Sequence, residues 1–236
     1  MKTNILVVIC LFVAVGAVPS QENGGSSGQE SSSATIESLY LNSSLGMSVI
    51  RSQLETGSRE QQILALSVLN EQIRRGEIDG TDPRVFAMVR FAMDQGVNVQ
   101  ARLYGGTDLT DYRPLVRREA ARVMGSVATR EAHDFLVQAV LKDPEPSVRS
   151  QAAFSLAQMN LDDGGESIEA ITQMVVREHM VGRDEGSIFA SLSALAMFPM
   201  DPDEHQETRN ILVEIAQDFL YPRVVREKAI EVLSGM

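Results

Sequence analysis

A repeated segment constrains this chain more than any other feature. Val116-Arg117-Arg118-Glu119-Ala120-Ala121 recurs 32 residues later as Val148-Arg149-Ser150-Gln151-Ala152-Ala153. The match extends outward to Asp111 with Asp143, Pro114 with Pro146 and Gly125 with Ala157. A further copy, Val225-Arg226-Glu227-Lys228-Ala229, follows after 77 residues, close to two periods of about 38. A fainter one lies between them in Ile188–Phe198, with Leu192, Ala194, Leu195 and Ala196. A unit of this length is one supersecondary motif that cannot enclose a core alone, so neighbours must stack to bury a shared one.

The unit is helical. The chain is rich in Ala, Leu, Met, Glu, Arg and Gln and has only 5% aromatic residues. Straight side chains lose little rotamer freedom on a helix, whereas strands draw on β-branched and aromatic residues. Leu45, Val49, Ile50 and Leu54 fall on one face of a helix ended by Gly57. Ser58 with Gln61 makes a capping-box pattern, and the next stripe, Leu66, Leu69 and Ile73, closes at Gly76. Asp82-Pro83 is a cap followed by proline at the first helical position, and Asp143-Pro144 and Asp201-Pro202 read as later starts of the same kind. Paired alanines at Ala120, Ala121, Ala152 and Ala153, with Ala229, permit close helix approach. Phe135, Leu136, Val140, Ile168, Ile171, Val175, Ile211, Leu212 and Ile215 supply the apolar fill. Met88, Met93, Met124, Met159 and Met174 fall at core spacing.

Asp143-Pro144-Glu145-Pro146-Ser147-Val148-Arg149, followed by Ala152-Ala153 and Leu156-Ala157, resembles a HEAT repeat. It is similar in particular to the bacterial branch called phycobilisome-lyase HEAT-like repeats. The resemblance is fullest over Asp111–Met159, extends through Gly164–Met236 and fades before Asp111. It implies an all-α, right-handed α-solenoid of stacked helical hairpins, about four to five repeats over residues 44–236. It also implies that Arg130–Leu141 is the second helix of its unit. Asp111 with Asp143 and Arg117 with Arg149 would form a polar ladder between units, a structural role. Leu220 replaces the aspartate in the last copy, so the ladder is expected to stop before the C-terminal helix.

The N-terminus reads differently. Lys2 precedes an unbroken run without charge, Ile5–Val18, too short for a bilayer span of roughly 20 residues and sized like a signal-peptide core. Val15-Gly16-Ala17 offers small residues for cleavage, giving a signal peptide over 1–17; an uncleaved anchor is the competing reading. Residues 18–43, rich in Ser, Gly and Gln, are expected to be a disordered spacer. Cys10 is the only cysteine and lies inside the apolar run, so the mature chain has no disulfide or thiol chemistry. An exported protein without cysteine suits the bacterial periplasm, although an extracellular destination shares the same signal.

With 32 acidic against 21 basic residues the chain repels phosphate backbones, which disfavours nucleic acid and anionic membrane surfaces as partners. No nucleophile elbow or phosphate loop is present, and His133, His179 and His205 have no second ligand at metal spacing on their own helix face. The cluster Asp201, Asp203, Glu204 and His205 reads as the acidic start of a helix. No catalytic residue, metal or cofactor is therefore assigned. Val97–Arg113 is a long connection for a compact repeat, and it carries Arg102, Tyr104 and Tyr112, residue types enriched at interface hot spots. The plain alternative is a degenerate repeat whose loop packs along the stack. His133 and Val137 lie opposite the core stripe of their helix and are expected to face the groove.

The expected function is a non-catalytic scaffold or adaptor that binds another protein along the solenoid, with no membrane insertion once the signal is removed. An accessory subunit of a lyase-type or other enzyme and a structural component of an envelope assembly are the alternatives. N-terminal sequencing of the mature protein should begin at or near Val18; recovery of soluble chain with Met1 intact would overturn the export reading.

Overall fold

The computed structural model describes residues 36–95, 113–159, 161 and 165–236, with side chains described from Leu45 onward. The signal run, the spacer as far as residue 35, and Arg102, Tyr104, Asp111 and Tyr112 lie outside the described residues. The chain divides into a unit over Met1–Ile36 and one over Glu37–Met236, and the second holds the helical stack.

Ten α-helices and no strand make up the described residues. They are α1 (Ile36–Thr56), α2 (Arg59–Arg74), α3 (Pro83–Met93), α4 (Pro114–Met124) and α5 (Arg130–Lys142), then α6 (Pro146–Met159), α7 (Glu166–Arg177), α8 (Glu185–Leu195), α9 (Gln206–Gln217) and α10 (Arg223–Gly235). A five-residue π-helical turn, Glu178–Gly182, extends α7. From α3 onward consecutive helices pair into four hairpins, α3–α4, α5–α6, α7–α8 and α9–α10, which stack in two layers. The even-numbered helices pack side by side in one layer. In the other, α5, α7 and α9 are neighbours, and Phe86 of α3 meets Phe135 of α5 edge-on at 6.3 Å. This is the expected all-α solenoid of stacked hairpins.

Local chemistry explains the boundaries. The Ser58/Gln61 capping box is present, and Gly76, at φ +70°, takes the left-handed conformation that ends α2. Asp82 caps α3 with Pro83 at its first turn. Three starts differ from the sequence reading. α1 begins at Ile36, so residues 36–43 of the expected spacer are helical. Ile36, Leu39 and Tyr40 already have helical spacing, but Asn42-Ser43-Ser44 reads as punctuation. α6 starts at Pro146 because the Asp143 carboxylate accepts from the Glu145 N–H and forms a turn first. Asp201-Pro202 likewise opens a separate turn, and α9 starts only at Gln206.

One core runs from α1 to α10, and the predicted core methionines and alanines are buried in it. In α1 the buried stripe is Met47, Ile50 and Leu54, while Leu45 and Val49 face outward, a shift of the predicted face. Gly125 marks a close approach between α4 and α6: a methyl there would sit 2.8 Å from Ser155 Cβ. The pairing of helices also corrects the sequence reading. α5 packs chiefly on α6, across a three-residue turn, and only lightly on α4. Arg130–Lys142 is therefore a first helix, and the repeated Val-Arg segments all open second helices.

Polar ties join successive hairpins along the edge where first helices turn into second helices. The wholly buried Arg117 of α4 grips Asp143 with two bonds, Nε–Oδ2 at 3.1 Å and Nη2–Oδ1 at 3.2 Å, and reaches the Gln95 carbonyl at 3.2 Å. Arg149 of α6 pairs with Glu178 and donates to the carbonyls of Asp143 and Pro144 at 2.9 and 3.1 Å. Arg183 makes a third tie, to Asp218 at 3.2 Å. At α10 the series stops: Arg226 stacks over the Phe219 ring at 5.0 Å, and no carboxylate pairs with it among the described residues.

Breaking the Arg117–Asp143 pair leaves a buried charge, which costs about 3–5 kcal/mol. Arg117→Met and Asp143→Leu should each lower stability by that amount in urea unfolding. The double variant should lose much less than the sum of the two, because it buries no orphaned charge.

Candidate functional site

The edge that carries these ties also carries the most exposed large apolar side chains of the described chain. Met180 and Val181 are 76% and 85% exposed in the π-helical turn after α7, and Phe219 and Leu220 are 85% and 74% exposed in the turn after α9. Residues at a hairpin turn are ordinarily polar, because water must solvate the backbone there. Two apolar pairs on adjacent turns depart from that rule together.

The turns are held in a fixed relation. The π turn closes through the Arg183 N–H, which donates to the Glu178 carbonyl at 2.6 Å. Arg183 itself adopts φ 45°, a left-handed conformation that costs a residue with a Cβ about 1 kcal/mol or more. Its guanidinium reaches the Asp218 carboxylate and lies 5.9 Å from the Tyr221 ring, so the strained residue binds one turn to the next. His179 Nδ1 lies 2.9 Å from the Tyr221 hydroxyl, and the two rings pack at 5.7 Å. Arg226 backs Phe219 from α10. A π turn inside an α-helix recurs at functional sites because the extra residue re-aims side chains; here Met180 and Val181 point into solvent.

Electrostatics follow from this packing. Burial pushes the Tyr221 phenol above its ordinary pKa; Asp218 and Glu185 add to the shift, and Arg183 opposes it. Burial, then the nearby Arg149 charge, lowers Arg177, with Glu178 opposing. Arg177 meanwhile donates to the Leu141 carbonyl at 2.6 Å and ties the end of α7 to the end of α5.

Two further surfaces carry apolar side chains. A groove of about 560 Å³ lies between α6 and α8, lined by Phe154 and Phe189, with Ser147, Ser150, Gln151 and Ser193 and with Arg118 at its rim. A second groove, about 400 Å³, lies between α1 and α3, with Met47, Leu54, Met88 and Phe91 in its walls.

The residues singled out from sequence are not brought together into one surface. Arg102, Tyr104 and Tyr112 lie outside the described residues. His133 does not face a groove: it is fully buried, with Nε2 2.9 Å from Ser167 Oγ and Nδ1 3.2 Å from an Asp134 oxygen. The α7 helix covers the face that a lone helical wheel leaves open. Val137 is half-buried and lines a shallow groove between α5 and α7. Arg117, Asp143 and Arg149 sit in the ties described above. Sequence reading missed Met180, Val181, Phe219 and Leu220, although an apolar pair inside helix punctuation is a signal that could have found them. His133, Asp134 and Glu166 are the one group among the described residues whose ligand atoms gather within metal-binding reach.

Residues 108–181 match a family model described as HEAT repeats, in keeping with the solenoid of stacked hairpins. No curated protein and no solved structure matches the chain. No helix among the described residues is long and apolar enough to cross a membrane.

A raised Tyr221 pKa gives stability that is present below the ordinary phenol value, about pH 10, and lost as pH rises through the folded-state value. In an absorbance titration at 295 nm the native chain should therefore show a late-ionising phenol. Tyr221→Phe should remove that component and flatten the alkaline loss of stability. An unchanged late component in Tyr221→Phe would show that another tyrosine carries it.

Proposed function

We propose that this chain is an exported, non-catalytic scaffold that binds another protein through the edge formed by the turns at 178–184 and 218–222. The observation that carries this reading is the exposure of Met180, Val181, Phe219 and Leu220 on turns locked together by Arg183, Asp218, His179 and Tyr221. Leaving such side chains in water forgoes their burial, worth roughly 1.5–3 kcal/mol for each fully covered aliphatic or aromatic residue. A rigid display of this kind loses little further entropy on association, the usual requirement for an interface anchor. The match to HEAT repeats in the middle of the chain supports a protein-interaction role.

Export rests on the apolar run at Ile5–Val18 and on a chain without cysteine after Cys10, and the bacterial periplasm is the compartment this reading favours. The rival surface for the same function is the α6–α8 groove, favoured by Phe154 and Phe189 on its walls. An accessory role beside an enzyme, or a place in an envelope assembly, would use the same contacts.

Photo-cross-linking residues placed at Val181 and Leu220 should capture a protein partner in the periplasmic fraction, and the same residue at Phe154 should not. Adducts from the Phe154 position alone would move the interface to the second-helix face. Val181→Ser combined with Leu220→Ser should weaken that partner's binding by about 1–2 kcal/mol or more. Unfolding free energy should stay within about 0.5 kcal/mol, because neither side chain is packed.

A further inference from the structure

His133, Asp134 and Glu166 come from two helices and from adjacent repeats, yet one ligand atom of each lies within 4.8 Å of the other two. His133 is the informative member. Its ring is fully buried, and Ser167 Oγ at 2.9 Å engages Nε2. A hydroxyl held on one ring nitrogen fixes the orientation of the imidazole, an arrangement typical of metal-bound histidines. The other nitrogen, Nδ1, is thereby aimed at the Asp134 carboxylate at 3.2 Å. With the proton on Nδ1 this contact is a hydrogen bond to Asp134; with the proton on Nε2, Nδ1 presents a lone pair beside the carboxylate, where a cation can bridge the two.

A cation is already drawn there. Arg130 bridges the two repeats, with Nε 3.0 Å from Asp134 Oδ1 and Nη2 against Glu166. Its side chain is about half exposed and free to swing into solvent. Three carboxylates, Asp134, Glu166 and Glu169, line this end of the α5–α7 groove against the single arginine. One imidazole with two carboxylates suits a first-row dication such as zinc better than calcium or magnesium, which take oxygen ligands almost exclusively. The two carboxylates would balance its charge, and a fourth position would face the groove. Sequence reading could not see this group, since Glu166 stands 33 residues from His133.

We propose that His133 Nδ1, Asp134 and Glu166 form a binding site for a zinc-like divalent cation that clips α5 to α7 and competes with the guanidinium of Arg130. The test uses the mature chain without an affinity tag, treated with chelator, dialysed and titrated calorimetrically with zinc chloride. One ion per chain should bind with a Kd of about 10 μM or tighter, and the melting temperature should rise as binding to the folded state requires. Asp134→Asn and Glu166→Gln, both at exposed positions, should each weaken binding at least about tenfold and abolish the melting shift. Arg130→Ala should tighten binding by removing the competing charge, a result that a merely structural ion pair does not give. The proposal is overturned by the absence of saturable uptake. It is overturned equally by uptake with the same affinity in Asp134→Asn and Glu166→Gln, which would place the ion elsewhere. Calcium binding as tightly as zinc would also sink it, since the imidazole would then contribute nothing.

Discussion

The buried pairing of Arg117 with Asp143 fixes how one hairpin sits on the next. Apolar contacts between helices tolerate sliding, because dispersion and burial have little directional preference. A two-bonded guanidinium–carboxylate pair does not, and in a dry site a displaced charge is heavily penalised. The arginine opens a second helix, whereas its partner follows the first helix of the next hairpin. Each tie therefore spans a repeat junction and sets its register. Arg149–Glu178 and Arg183–Asp218 continue the rule with different residues. What is kept along the stack is a cation at one height facing an acid at the end of the next first helix.

That freedom explains where the sequence copies drift apart. The aspartate of the repeated pattern is replaced by Glu178 one junction later, inside a π turn that puts its carboxylate within reach of Arg149. α8 has no arginine in its body, and Arg183 supplies the charge from just before the helix, with a left-handed backbone as the consequence. The π turn and the locked pair of turns that carry Met180, Val181, Phe219 and Leu220 lie at these junctions. The departure from the repeat and the candidate interface thus coincide in the fold.

Much of the fold is legible in the chain itself. The 32-residue repeat, the capping box at Ser58 and Gln61 and the alanines that permit close approach are local or periodic signals, and periodicity survives without knowledge of neighbours. The pairing of helices is less legible. Links on both sides of α5 are short, and only packing decides that it belongs with α6 rather than α4. His133 shows the same limit on a smaller scale, since its outward face on an isolated helix is covered by Ser167 of a helix more than thirty residues away. The start of α1 is hidden by Asn42-Ser43-Ser44, residues that end helices more often than they continue them. The candidate edge escapes a sequence scan because its apolar pairs fall where such a scan looks for Gly, Pro and polar residues.

The three ties are not equally dry. Arg117 and Asp143 are almost wholly buried, Arg149 and Glu178 nearly so, while the Arg183 side chain is 46% exposed. Beyond them α10 has a cation over an aromatic ring in place of an ion pair. In a stack held by nearest-neighbour terms, a graded series of junctions means graded cooperativity. Along these three junctions the Arg183–Asp218 one is the most open to water, so loosening there is expected to cost less than at the dry Arg117–Asp143 junction. The Arg183–Asp218 tie, with Tyr221 packed against both Arg183 and His179, is what keeps the turn at 218–222 in place where the junction is no longer dry.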